Sequence, residues 1–235
     1  LTTIPLSLRT KLNENLIFNN SKIVETHKST DGTIKFLVEF HDGNKVECVF
    51  IPEKTRGTIC VSSQVGCSLT CTFCRSGTQK LVKNLNVSEI INQIMLVKNN
   101  LKDWGDKKII SNIVFMGQGE PLINMANLKT AIQILKDKKG LNYGNKKITV
   151  STSGIANKIP QAADEIGTYL ALSLHAPNDE LREEIMPINK KFKIKELIKQ
   201  LKYYTSVVKE PIFLEYVMLK GINDTEECAI QLTKL

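Results

Sequence analysis

The stretch Gly57–Cys74, GTICVSSQVGCSLTCTFC, joins a short apolar run to a loop dense in sulfur. Residues 57–63 are β-branched and apolar enough to read as a strand. The loop then places Cys67, Cys71 and Cys74 in a CxxxCxxC pattern. From about Val87 the period changes, and Ile90, Ile94, Val97 and Leu101 keep one helical face apolar. Asn86, with Glu89 three residues on, marks the helix start as a capping-box arrangement.

The same strand–loop–helix unit recurs downstream. NIVFMG (112–117) is a second strand, and Leu128, Ala131, Ile132 and Leu135 mark a helix closed by Gly140. KITVSTSG (147–154) is a third strand, with a short helix after Pro160. YLALSLHA (169–176) is a fourth, and Ile194, Leu197, Ile198 and Leu201 mark another helix. IFLEYVML (212–219) is a fifth strand, and DTEECAIQLTKL (224–235) reads as helical. Strands alternating with helices predict right-handed βαβ units and a parallel sheet. The segments leaving the strands, namely the cysteine loop, GQGEP, STSG and SLHAPN, then gather at one edge, where parallel barrels build their sites.

Upstream, residues 1–20 read as a short amphipathic helix with Leu6, Leu8 and Leu12. Residues 21–52 read as antiparallel strands with turns at Asp31-Gly32 and Asp42-Gly43. The expected fold is α/β: a partial parallel (β/α) barrel over 55–235, preceded over 1–54 by a helix and a small antiparallel β unit. The chain closes on a helix with no strand after it, so the last barrel strand or strands are expected to be missing.

The sequence has 235 residues with a hydrophobic fraction of 42%, which suits a globular core. No apolar run approaches the ~18 residues of a membrane span. The formal net charge of +8 favours a polyanionic partner such as RNA or DNA, although lysine is spread throughout. Lys190–Lys202 is dense enough to touch phosphates, but reads more simply as the solvated face of a helix.

Six cysteines in a chain of this size, three of them inside eight residues, point to metal in a reducing compartment rather than disulfides. Structural zinc takes four ligands, and the fourth would have to be Cys48, Cys60, Cys228 or a histidine. A cubane iron–sulfur cluster held by three cysteines leaves one iron open to a substrate.

CxxxCxxC after a first strand resembles the radical S-adenosylmethionine (SAM) enzymes. Five longer segments narrow the resemblance: CVSSQVGCSLTCTFCRSGTQKLVKNLNVSEI (60–90), MGQGEPL (116–122), STSG (151–154), LALSLHAPNDELREEIMPINKK (170–191) and EYVML (215–219). In this order they are similar to the bacterial radical SAM methyltransferases that methylate C2 of an adenine in 23S rRNA and in tRNA.

The resemblance implies a [4Fe-4S] cluster on Cys67, Cys71 and Cys74, with SAM on the open iron and Phe73 beside its adenine. It implies SAM contacts at Gly119, Glu120, Ser151, Ser173, Leu174 and His175. Glu47 matches a proton acceptor, and Cys60 a residue that helps resolve a covalent RNA–enzyme intermediate. It further implies two SAM molecules per turnover, a flavodoxin-type electron donor and a cytoplasmic location. Oligomeric state is left open.

The match breaks at the family's methyl-carrying cysteine, which stands in an Ala-Cys-Gly-Gln context. No such segment occurs here, and Cys228 in EECAIQL is not one. A later SAM-binding asparagine and part of the N-terminal accessory region are also without counterparts. The chain is therefore expected to be truncated at both ends and impaired in methyl transfer. The competing readings are a relative that methylates adenine C8 and an inactive RNA- or metal-binding remnant.

Overall fold

The computed structural model describes residues 4–16, 21–105 and 108–235. The expected N-terminal helix is present as α1 (Leu6–Asn15), but none of its residues is buried, so it is not an amphipathic helix docked on a core. Residues 1–3 and 17–20 of that expectation lie outside the described residues.

The strands follow as β1 (Lys22–Lys28), β2 (Ile34–Glu39), β3 (Lys45–Pro52) and β4 (Gly57–Cys60). A two-residue pair comes next, β5 (Gln64–Val65) and β6 (Lys83–Asn84), and then β7 (Asn112–Phe115), β8 (Ile148–Thr152), β9 (Tyr169–Ser173) and β10 (Ile212–Glu215). The helices are α2 (Val87–Asn100), α3 (Met125–Lys136), α4 (Ile159–Glu165), α5 (Asp179–Ile185), α6 (Ile194–Val208) and α7 (Glu226–Leu232). Helix α5 had no apolar period to announce it. It begins at Asn178, whose side chain accepts from the Leu181 N–H.

One eight-stranded sheet has the order β1-β2-β3-β4-β7-β8-β9-β10. The pairs from β1 to β4 are antiparallel, and those from β4 to β10 are parallel. The sheet is mixed and does not close into a barrel. Pairing runs straight through residue 54 because β3 pairs with β4, so the antiparallel strands extend the parallel sheet.

Alternation sorts the side chains. Phe36, Val38, Val46, Cys48 and Phe50 turn to the core, as do Ile59, Ile113, Val150, Leu170 and Leu172. There they meet Ile90, Ile94 and Val97 of α2, Leu128, Ile132 and Leu135 of α3, and Leu197 and Leu201 of α6. Each such burial contributes roughly 1.5–3 kcal/mol relative to exposure. The opposite face carries Cys60, Val114, Thr149 and Tyr169 in one register row. Above that row, towards the strand exits, lie Ser151 and Ala171, then Ser173 beside Glu215.

The cysteine loop is framed by β5 and β6, which pair Gln64 with Asn84 and Val65 with Lys83. Lys83 bonds the buried Glu89 at 2.6 Å and also reaches Asp42 in the β2–β3 turn. Glu89 closes the expected capping box: its N–H donates to Asn86 Oδ1 at 2.9 Å, and its Oε2 accepts from the Asn86 N–H at 3.0 Å.

Candidate active site

A cleft opens at the C-terminal edge of the parallel strands. Cys67, Cys71 and Cys74 line it together with Gly119, Glu120, Ser151, Ser173 and His175. Four separate strand exits therefore converge, as the topology predicts.

The loop holds its thiols by backbone bonds. The Cys74 N–H donates to Cys71 O at 3.2 Å, the Gly77 N–H to Cys74 O at 3.0 Å, and the Cys67 N–H to Gln79 O at 3.3 Å. A Cβ on Gly77 would stand 2.7 Å from Cys71 O, so only glycine permits this turn. Burial pushes the Cys71 thiol up to about 11, with Cys74 and Cys67 adding to the rise. Burial also raises Cys67. All three cysteines are free. Among the described residues no group of His, Cys, Asp and Glu closes on a single ion position. Three free thiols on one cleft suit a polynuclear cluster whose irons each take one external ligand.

Gly119 has φ +94, and a Cβ there would lie 2.4 Å from the Gln64 side chain. Gln64 is the organiser of this corner. Its Oε1 accepts from the Glu120 N–H at 2.9 Å, and its Nε2 donates to Asn84 Oδ1 at 2.7 Å. The cysteine frame and the GQGEP turn are thereby locked together. Glu120 is buried, and burial raises its carboxyl against the bonds that ionisation favours. Those bonds come from the Ser153 N–H to Oε2 at 2.7 Å and the Leu122 N–H to Oε1 at 3.1 Å.

His175 has φ +57, a conformation unusual outside glycine. Its Nδ1 accepts from the Val217 N–H at 3.0 Å. A backbone N–H can only donate, so the ring is neutral and carries its proton on Nε2. Burial, and then Arg182, push its pKa down to about 4, in agreement. Asn223 fixes the same corner, donating from Nδ2 to His175 O at 2.8 Å and to Val217 O at 2.7 Å. The Phe73 ring meets the His175 ring edge-on, with centroids 4.9 Å apart.

Three expected residues stand apart from the cleft wall. Leu174 buries its side chain in the core, and only its backbone belongs to the strand exit. Cys60 lies lower on the cleft face of the sheet, where burial pushes its thiol up to about 11. Glu47 is exposed and ion-paired with Lys35 at 2.9 Å. Because β3 runs antiparallel to β4, Glu47 nonetheless sits level with Ser62, whose Oγ donates to Glu47 O at 2.7 Å. It is thus carried to the edge where the parallel strands end.

Sequence reading passed over Gln64, Arg182, Glu215 and Asn223. Gln64 opens β5, Glu215 ends β10, Arg182 lies on the short helix α5, and Asn223 lies in the turn before α7. Glu215 also lines the cleft, with its carboxyl raised by burial. The lysines from Lys193 to Lys202 border a separate groove beside α6, together with Asp179, Glu180 and Glu196, which makes that surface mixed in charge.

Comparison with known proteins gives consistent relatives. A family model described as Radical SAM superfamily matches residues 61–232. The dual-specificity RNA methyltransferase RlmN of Cereibacter sphaeroides (strain ATCC 17029 / ATH 2.4.9) is 44% identical over 243 residues, covering 100% of this chain and 62% of the relative. That of Parvibaculum lavamentivorans is 46% identical over 248 residues, again covering 100% and 62%. A crystal structure of a radical SAM methyltransferase from Sphaerobacter thermophilus matches with TM-score 0.92 and 36% identity, covering 99% of this chain and 68% of that one. The chain thus spans about three fifths of the length of the curated relatives it matches.

Proposed function

The chain belongs to the radical SAM superfamily, and from that premise we propose that it is the catalytic core of an RNA methyltransferase acting on C2 of adenine in 23S rRNA and tRNA. The observation that carries this reading is the convergence of Cys67, Cys71 and Cys74 with Gly119, Glu120, Ser151, Ser173 and His175 on one cleft. The superfamily uses a [4Fe-4S] cluster and SAM, and the donor set fits both.

Cys67, Cys71 and Cys74 would hold the cluster, and the strand exits would hold SAM. When bound, the pair supplies a carbon-centred radical through one-electron cleavage of SAM, with the electron coming from a flavodoxin-type donor. Gly119, at positive φ and packed directly against Gln64, permits the turn that brings its backbone to the cleft. Glu120 presents a carboxylate held rigid by backbone donors, with lone pairs to spare for an ammonium or hydroxyls. His175 offers a single donor at Nε2 because Nδ1 is engaged. Ser151 and Ser173 add hydroxyls from the sheet face. Cys60 keeps its proton at neutral pH, and Glu47 is the proton acceptor on the same edge.

Methyl transfer in this reading also requires a cysteine in an Ala-Cys-Gly-Gln context, which does not occur in these 235 residues. It requires a second SAM as well. The core's own task is cluster binding and SAM cleavage against an RNA substrate. Among the described residues no helix is long and apolar enough to cross a membrane. A cytoplasmic site of action is part of the proposal.

The test is anaerobic reconstitution with iron and sulfide, followed by SAM, a strong reductant and either 23S rRNA or tRNA. The expected result is 5′-deoxyadenosine formation that needs all three cysteines. Mass spectrometry of the nucleosides then reads 2-methyladenosine for the full-length context. An 8-methyladenosine product would overturn the C2 assignment. A folded chain forming no 5′-deoxyadenosine would overturn the enzymatic reading.

A further inference from the structure

The reading above leaves Arg182 without a task. It is fully buried, at 0% exposure, and among the largest side chains so enclosed. From α5 its guanidinium reaches across the exits of β8 and β9. Nε donates to Leu174 O at 2.9 Å, and Nη2 donates to Ser153 O at 2.8 Å and to Ser173 O at 2.9 Å. Nη1 donates to Asn189 Oδ1 at 2.9 Å.

Among the described residues no ion pair joins it to a carboxylate. The nearby Asp179 is engaged elsewhere: its Oδ1 accepts from Asn189 Nδ2 at 2.8 Å and from the Ile194 N–H at 2.9 Å. A buried cation without a counter-ion costs several kcal/mol unless something offsets it. Carbonyl dipoles offset part of this. Asp179, three residues back on α5, offsets more of it through space. The other neighbour of α5 is the cysteine loop, whose sulfurs become anionic thiolates when they take up metal. Cys71 packs against Ala176, Ile185 and Met186. The Thr72 N–H donates to Ile185 O at 2.9 Å, which ties the loop to the helix that bears Arg182.

We propose that Arg182 is the fixed counter-charge of the three-cysteine site, and the positioning residue that clamps the Ser153, Ser173 and Leu174 carbonyls beside it. The inference rests on the cluster assignment made above. A permanent positive charge in a medium of low dielectric favours whichever state of its neighbour is more negative. When the cluster accepts one electron from an external donor, Arg182 therefore favours the reduced form.

The experiment compares the midpoint potential of the reconstituted cluster, by anaerobic titration monitored by EPR, in the wild-type chain and three variants. R182Q removes the charge, and R182K keeps it without the planar fork. D179N/N189D moves the existing carboxylate onto the guanidinium at constant net charge. R182Q is expected to disfavour the reduced cluster about tenfold, about 59 mV lower for a one-electron couple. R182K should retain most of the wild-type potential, and D179N/N189D should shift in the same direction as R182Q.

Circular dichroism separates folding from tuning. If R182Q does not fold, the double variant and R182K decide the outcome. Folded, cluster-bearing R182Q and D179N/N189D with the wild-type potential would overturn the proposal and leave the cluster assignment standing. A wild-type chain that takes up no cluster would overturn the assignment and the proposal with it.

Discussion

In β1–β3 the chain doubles back at Asp31-Gly32 and Asp42-Gly43, where both glycines take positive φ. From β4 to β10 it returns instead through helices. The two regions share one sheet and the same alternation of core and open face. Their open faces differ in chemistry. The antiparallel strands carry charge pairs in water: Lys22 and Lys45 on Glu39, and Lys35 on Glu47. The parallel strands carry Cys60, Ser151, Ser173 and Glu215 beside a cleft. Hairpins end alternate strands at opposite edges, whereas crossovers end every strand at the same one. Only the second arrangement stacks successive strand exits into a site. The antiparallel region reaches that edge at the start of β3, where Glu47 sits level with Ser62.

The contrast is broken most sharply at the cysteines. Replacing Cys67, Cys71 and Cys74 by alanine should abolish iron and sulfide binding and SAM cleavage. Thermal stability should change little, because the loop is held by its backbone and by β5–β6. Iron content with a melting curve checks both halves of this.

Gly119→Ala is next. It forces a Cβ to within 2.4 Å of Gln64 at φ +94, a backbone strain of about 1–2 kcal/mol. SAM affinity measured by calorimetry should fall at least tenfold. Unchanged affinity would remove Gly119 from the binding wall.

His175 gives a pH signature. Its folded pKa of about 4 lies below the unfolded value of about 6.5. The unfolded chain therefore binds the proton first as pH falls. Stability is fully present above pH 6.5 and is lost from there down to about 4, by about 3 kcal/mol in total. The raised carboxyls of Glu120 and Glu215 act in the opposite sense, so the quantity to measure is the difference between wild type and His175→Gln across that window. A difference that does not vary with pH would contradict the neutral, bonded ring.

The smallest effect belongs to the antiparallel region. Glu47→Gln breaks a pair whose side chains are 46% and 48% exposed and should cost less than about 1 kcal/mol in urea unfolding. If methylation in the full-length context falls while SAM cleavage persists, Glu47 is the one catalytic group of this region. If methylation is unmoved, the two halves separate cleanly into support and site.

Much of this was legible in the residues. The period change at Val87, the Asn86–Glu89 cap and the five parallel strands follow from local pattern. The cysteine spacing announced its own chemistry. Arg182, Gln64 and Asn223 were not legible, because a polar side chain in a polar segment carries no mark of burial. Their roles exist only once β4, β8 and β9 bring their exits together. Glu47 is a different case. Its alternation reads as solvent-facing, which is correct, and only the β3–β4 register shows that its stretch of solvent borders the site.

The clamp of β5 on β6 bears on how such a protein comes to be made. Its two strands close the loop at the base, and Gln64 ties that base to a neighbouring turn. The loop has already given up its conformational entropy before any iron arrives. Small zinc domains behave otherwise, since the metal there supplies the folding free energy itself. Here chelation should strip the centre and leave the chain folded. Biogenesis can then run in two independent stages, with a finished polypeptide waiting as the acceptor for whatever machinery delivers its inorganic part.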